Sequence, residues 1–265
     1  MENFKKIQKM KFDFIFVVLV YRNTSDLKDF FKSLMIKNCK VLVINSFYDE
    51  DTKNEFESIA KLNNADFINI ENKGYGYGNN RGCEYALNHY DFKYLIISNA
   101  DIEIKKLDVS QLTDKCITSP EITTLKNKYQ NPYRPYEIKI LDKIQYYGYI
   151  KDYHFLILLV SFFTKLTRIF FRLFIKKGQI YGTHGAFIII PKHILEKTYP
   201  IYNEKMFLFA EEEHFSKKMK NNGIGIQFNP KITINHKEDG STSSINTYKE
   251  TKKSFIEYYS FWYKK

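Results

Sequence analysis

The chain has 265 residues, 44% hydrophobic and 27% charged, which allows a buried core and excludes a disordered chain. Its formal net charge of +11 draws it toward polyanions, whether a phosphorylated small molecule, an anionic membrane face or nucleic acid, but its lysines are scattered rather than gathered in one block, which argues against nucleic acid. Cys39, Cys83 and Cys116 are odd in number and form no C-x-x-C pair, so they read as reduced thiols of a cytosolic protein, not as a disulfide frame or a zinc site.

The N-terminus has a basic start and a short apolar run without a small-residue cleavage site, so FIFVVLVY (Phe14 to Tyr21) reads as a first strand and not as a signal peptide. Its unbroken apolar character suits a parallel strand covered on both faces. NTSDLKDFFKSLMI places Leu27, Phe30, Phe31 and Leu34 at helical spacing, with Thr24 or Ser25 as the expected cap. KVLVIN predicts a second strand, DEDTKNEFESIAKLNN a helix and ADFINIEN a third strand. GYGYGNNRG, Gly74 to Gly82, then reads as a loop before a helix, RGCEYALNHY, and a fourth strand, KYLIISNAD. Strand and helix alternate, which predicts an open parallel sheet with helices on both faces.

The glycine-rich segment admits two readings: a flexible turn, or a connection that lets backbone N–H groups approach a phosphate or nucleoside. It is not the G-x-G-x-x-G dinucleotide pattern, which meets Asn79 or Arg81 where glycine is needed, and it lacks the G-K-[ST] of a Walker loop. SNAD, Ser98 to Asp101, ends the fourth strand with a carboxylate at the edge where ligands of open α/β sheets sit. Asp101 there is either a turn or capping residue, or a weak divalent-cation ligand completed by a substrate diphosphate and water.

From Ile104 to about Ile150 the pattern is broken by Pro120, Pro132 and Pro135. HFLILLVSFF follows, an apolar stretch shorter than the ~20 residues needed to cross a bilayer, and TKLTRIFFRLFIKK then spaces Lys165, Arg168 and Arg172 among large apolar residues. That pattern suits a helix lying in a lipid headgroup plane and equally a core helix with a basic solvated face. GTHGAFIIIPK predicts a strand, FAEEEHFSKKMKNNG a helix, IQFNPKITINHK a strand and the tail from Thr247 a helix. Glu211, Glu212 and Glu213 stand at a helix start, where acids complement the positive end of the dipole. His236 ends a strand, as a structural residue or as a ligand.

In this order the segments resemble glycosyltransferase family 2, sugar-nucleotide-dependent enzymes of GT-A fold, most closely its rhamnosyltransferase-like branch, over about Phe14 to Ser241. VVLVYRN resembles the family's opening strand, ENKGYGYGNNRGCEYAL its N-x-G-x-x-x-x-N-x-G segment, and SNAD its Asn-Pro-Asp or D-x-D site. GTHGAFIII resembles the glycine-led strand near the acceptor pocket, FLFAEEEHF the Y-x-E-D-x-D segment, and HKEDGST the late H-x-x-x-G-S. The resemblance implies a mostly parallel central sheet flanked by helices, divided into a nucleotide-sugar half (1–103), an irregular segment with an amphipathic helical insert (104–177), and an acceptor-side half with a helical tail (178–265).

It also implies nucleotide contacts from Tyr21, Asn45, Asn72, Gly74, Asn79, Asn80 and Asn99. Asp101 and His236, with Ser241 nearby, would face a divalent metal (Mn2+ or Mg2+) and the diphosphate. Glu212 would be the base, with Glu211 second, and Gly185, His184 and His214 would stand on the acceptor side. Two positions depart from the family: Ile44 replaces an Asp that holds the base or ribose, and His214 replaces a second Asp. The implied activity is sugar transfer from a dTDP- or UDP-linked donor to a hydroxyl of a glycan or lipid-linked glycan in surface polysaccharide synthesis. The enzyme would be cytoplasmic, peripheral on the inner membrane face, with an anionic membrane surface as a further partner. The rival reading is a non-catalytic nucleotide- or membrane-binding module of the same fold.

Overall fold

The structure, a computed structural model, describes residues 9–238 and 246–264. The first half alternates as expected: β1 (Met10–Val20), α1 (Thr24–Ser33), β2 (Cys39–Ser46), α2 (Glu50–Leu62), β3 (Asp66–Ile70), α3 (Tyr75–His89) and β4 (Tyr90–Asn99). β1 lies between β2 and β4, with every pairing from β3 to β4 parallel. These strands are continuously apolar because both faces are covered. Ile15, Val17, Leu42 and Ile44 pack with Cys83 and Ala86 of α3, while Phe16, Val18 and Val43 pack with Leu27 and Phe30 of α1 and Phe56 of α2.

Two local expectations are corrected. The cap of α1 is Asn23, not Thr24 or Ser25: its side chain accepts the Ser25 N–H at 3.2 Å. And GYGYGNNRG is not a loop, because α3 begins at Tyr75 and takes in all but the first glycine. The glycines serve packing. A Cβ on Gly78 would stand 2.4 Å from Leu19 Cδ1, and one on Gly82 would stand 2.3 Å from Val17 Cγ1, so α3 lies on the sheet at a distance only glycine permits. Gly74 precedes the helix at φ +105°, and a Cβ there would meet the Phe207 carbonyl oxygen at 2.2 Å.

The second half holds β5 (Ile102–Lys106), a 3-10 turn at Val109–Gln111, β6 (Ile117–Thr124), α4 (Lys139–Ile150), α5 (His154–Phe170) with a π turn at Phe171–Ile175, β7 (Gly178–Ile180), β8 (Phe187–Pro191), α6 (Lys192–Thr198), α7 (Glu211–Asn221), β9 (Ile226–His236) and α8 (Thr247–Tyr263). Among the described residues the sheet has nine strands, in the order β3-β2-β1-β4-β8-β6-β9-β5, with β7 also on β9. It is parallel through β4. Beyond that it is mixed: β8 runs antiparallel to β4, and β6 and β9 are parallel to each other, with a register shift at Pro120. A proline has no N–H to give a ladder, which is why it sits at the irregularity.

The insert is one helix through His154–Ile175, 22 residues, long and apolar enough by length and composition to cross a membrane, in contrast to the shorter run expected. The aromatic tail α8 packs Phe255 and Tyr258 against Tyr146 and Tyr149 of α4.

Candidate active site

Leu19 of β1 stands opposite Asn99 of β4, so both strands release the chain at one edge of the sheet. β8 runs the other way beside β4, with Phe187 paired to Ser98, which brings His184 and Gly185 to the same edge. β9 ends there too, with His236 paired to Ile102. A cavity opens along this edge, lined by Tyr21, Asn23, Asp26, Ser46, Asn72 and Gly74 among others. A second adjoins it, lined by Gln130, His184, Gly185, Glu211, Glu212 and His236 among others. Tyr75, Asn99, Asp101 and Leu208 line both, so Asp101 and Glu212 border one continuous cleft.

Asp101 Oδ2 lies 3.2 Å from His236 Nε2. On its other side the ring sets Nδ1 against Gln130 Oε1 at 2.8 Å, and the Gln130 amide nitrogen donates to Glu238. That second bond orients the amide, so Nδ1 carries the proton it gives to Gln130. Nε2 then meets the carboxylate either protonated or through a shared cation. A carboxylate and an imidazole with its outer nitrogen fixed fit a divalent ion whose remaining ligands are phosphate oxygens and water. Among the described residues no cluster of three His, Cys, Asp or Glu side chains gathers, so protein ligands alone would leave such an ion's shell unfilled.

The acidic run opens α7 behind Phe209 and Ala210, two non-glycine residues at φ +71° and +61°, a costly backbone that aims the first turn into the cleft. Glu212 Oε1 accepts the Gly185 N–H at 3.2 Å. A Cβ on Gly185 would sit close against both partners, 3.2 Å from that same oxygen and 3.3 Å from Tyr75 Oη. Tyr75 Oη in turn donates to the Gly185 carbonyl at 2.8 Å. Burial and the neighbouring Glu213 raise the Glu212 carboxyl to about 7. Burial and Glu212 push Glu211 well above the usual carboxylate range. Burial and His236 hold His184 down to about 3. Its Nδ1 accepts the Ala186 N–H at 3.1 Å, leaving an Nε2–H donor on a neutral ring.

Behind the carboxylates, Glu213 accepts from Tyr133 Oη at 2.8 Å. Arg168 of α5 donates to the Tyr133 carbonyl at 2.6 Å and lies over its ring. Arg172 donates to the Asn131 carbonyl at 2.8 Å and pairs with Glu121, and Asn131 accepts the His184 N–H at 2.8 Å. One face of the insert thus holds the segment that supports His184 and Glu213.

The cleft gathers Tyr21, Asn72, Gly74, Asn99, Asp101, His184, Gly185, Glu211, Glu212 and His236. Four other expected site residues lie in the scaffold. Asn45 is buried and donates to Asn69 at 2.7 Å. Asn79 is buried and donates to the Tyr75 carbonyl. Asn80 is buried and ties down residues 201–204: it donates to the Tyr202 carbonyl and to Glu204, and accepts from the N–H groups of Ile201 and Tyr202. His214 points away from the acceptor side, accepting from Trp262 Nε1 at 3.1 Å, with burial lowering it to about 4. Ile44 is fully buried in the core, and Asp49 caps α2 through the Thr52 N–H. Ser241 lies outside the described residues. Sequence reasoning missed Ser46, Tyr75 and Gln130. The signal for Tyr75 was its place directly after Gly74.

No family model matches the sequence. A curated relative, Low-salt glycan biosynthesis hexosyltransferase Agl10 of Haloferax volcanii, is 27% identical over a stretch covering 33% of this chain and 38% of the relative. Among solved structures, S. aureus TarS superposes at a TM-score of 0.57 with 11% identity, over 85% of this chain and 36% of that one. GalNAc-T7, solved with UDP, GalNAc and Mn2+, superposes at 0.56 with 12% identity, over 85% and 44%. The chain spans less than half the length of each. At these identities the structural likeness is one of fold, and the fold is that of the GT-A glycosyltransferases.

Proposed function

We propose that this chain is a glycosyltransferase that moves a sugar from a nucleoside-diphosphate donor, dTDP- or UDP-linked, to a hydroxyl of a glycan or lipid-linked glycan, with inversion, in surface polysaccharide synthesis. The observation that carries the reading is the single cleft bordered by both Asp101 and Glu212. The relative named a hexosyltransferase and the GT-A neighbour solved with UDP and Mn2+ support the reaction class.

The nucleoside would lie along Tyr21, Ser46, Asn72 and Gly74, with the diphosphate toward Asn99 and Asp101. Asp101 and His236 would hold a divalent metal ion, which when bound offsets the charge of the departing diphosphate. Glu212, poised near neutral pH, removes the acceptor hydroxyl proton as that oxygen attacks the anomeric carbon. The new carbon–oxygen bond forms as the bond to the diphosphate breaks, and the proton rests on Glu212. The Gly185 N–H fixes the carboxylate, and neutral His184 offers a donor to the acceptor or the sugar.

Nucleoside diphosphate released from a panel of UDP- and dTDP-sugars with Mn2+ or Mg2+ tests the reading. Wild-type protein turns over at least one donor; Asp101→Ala abolishes turnover, and Glu212→Gln lowers it by about 10²–10⁴. Equal turnover in all three proteins removes the site.

A further inference from the structure

We propose that the outer face of α5 and its π-turn extension lies flat in the headgroup layer of an anionic lipid bilayer. Phe155, Leu158, Phe162, Leu166, Leu173 and Phe174 form a stripe along this face, and Phe155, Leu158, Leu173 and Phe174 are 73%, 68%, 62% and 71% exposed. On a helix of 3.6 residues per turn these positions fall within about 160°, a little under half of the circumference. Contiguous exposed apolar surface of this extent marks a contact site.

Length and composition alone would let His154–Ile175 cross a membrane, but its other flank rules out that placement. Phe171 is buried against Phe228, and Arg168 and Arg172 are bonded to Tyr133, Asn131 and Glu121. A spanning helix would carry those groups and the domain attached to them into hydrocarbon, whereas a helix in the interface plane keeps one face on the protein and the other in lipid.

Charge identifies the occupant. No Asp or Glu occurs between Asp152 and Glu196, and with Arg168 and Arg172 committed to the protein the lysines left to the outer face are Lys165, Lys176 and Lys177. Lys165 borders the stripe, and Lys176 and Lys177 are exposed where it stops. Phosphodiester headgroups complement that set. A second copy of the face does not, since pairing it with itself sets cations against cations with no acid to meet them. The surface is independent of the sugar transferred, and its test reads no catalysis.

The test is cosedimentation of the full chain with vesicles of phosphatidylcholine alone and with ~30% phosphatidylglycerol, at low and high salt. Wild-type protein pellets with the anionic vesicles and less so as salt rises. Phe162→Ser with Leu166→Ser weakens binding at least tenfold. Lys165→Gln with Lys176→Gln and Lys177→Gln weakens it on the order of a hundredfold at low salt, each variant checked for unchanged far-UV circular dichroism. Protein left in the supernatant overturns the proposal, and so does binding indifferent to both variants. A dimer seen by light scattering that Phe162→Ser with Leu166→Ser dissociates, without vesicle binding, assigns the face to a second copy instead.

Discussion

The base should reveal itself in a pH profile. With the Glu212 carboxyl raised to about 7, only about a tenth of it is ionised at pH 6 and about a hundredth at pH 5, whereas a carboxyl at its ordinary value of about 4.5 would be almost fully ionised at pH 6. Turnover per unit donor should therefore fall about tenfold per pH unit below 7 and level off above it. Burial is the largest cause of the raised value and Glu213 the second. Glu213→Gln keeps an oxygen for Tyr133 and removes the charge, so it should move the acid limb down by on the order of one unit. The assay is nucleoside diphosphate release across pH 5–9 at constant ionic strength. A limb near 4.5, or one that Glu213→Gln does not move, would refute the assignment. The same shift has a stability sign. The folded-state value lies above the unfolded one, so the stabilisation is complete below about 4.5 and disappears as pH climbs through about 7. Glu212→Gln should thus raise the melting temperature by a few degrees at pH 8 and by little at pH 5.

Gly82→Ala gains about 1 kcal/mol of helix propensity, but its methyl would meet Val17 at 2.3 Å and Ile44 at 3.1 Å; overpacking of about 1–3 kcal/mol should win, giving a lower urea midpoint that Val17→Ala partly restores. Asn80→Ala leaves the buried N–H groups of Ile201 and Tyr202 without their acceptor and should cost about 2–4 kcal/mol, with nucleotide affinity by calorimetry unchanged in the folded fraction; a selective loss of nucleotide binding at full stability would return Asn80 to the site. UDP and Mn2+ together, at ~100 times the dissociation constant, should stabilise the protein by ~2.7 kcal/mol in thermal shift. Asp101→Ala should erase the part that depends on Mn2+, and a shift retained in full would count against the Asp101–His236 pair.

The first four strands were legible because burial on both faces leaves a simple trace, unbroken apolar runs such as Phe14 to Val20. The stretch from Ile104 to Ile150 was not, because strands such as β6 are interrupted by prolines and pair with chain more than 60 residues distant, Thr118 with Ile189 for instance. The glycine segment misled for a definite reason. Glycine content argues for a loop on local propensity, but Gly78 and Gly82 answer to side chains of β1, and Gly74 and Gly76 to Phe207 and Tyr202, none of which a local window contains. The same oversight placed Asn79 and Asn80 against a ligand when they face protein. Order along the chain singled out Asp101, His236 and Glu212, and the fold brings these three to one cleft. Tyr75 and Gln130 act through Gly185 and His236, contacts that exist only once the strands are in place.

The grip of Arg168 and Arg172 on residues 131–133 bears on how the protein can be handled. An apolar helix of this kind invites excision to improve yield, yet cutting out 153–177 would unfasten the support of His184 and Glu213 along with the greasy surface. Solubilising changes confined to its outward side chains, at Phe155 or Leu173, leave both arginines in place.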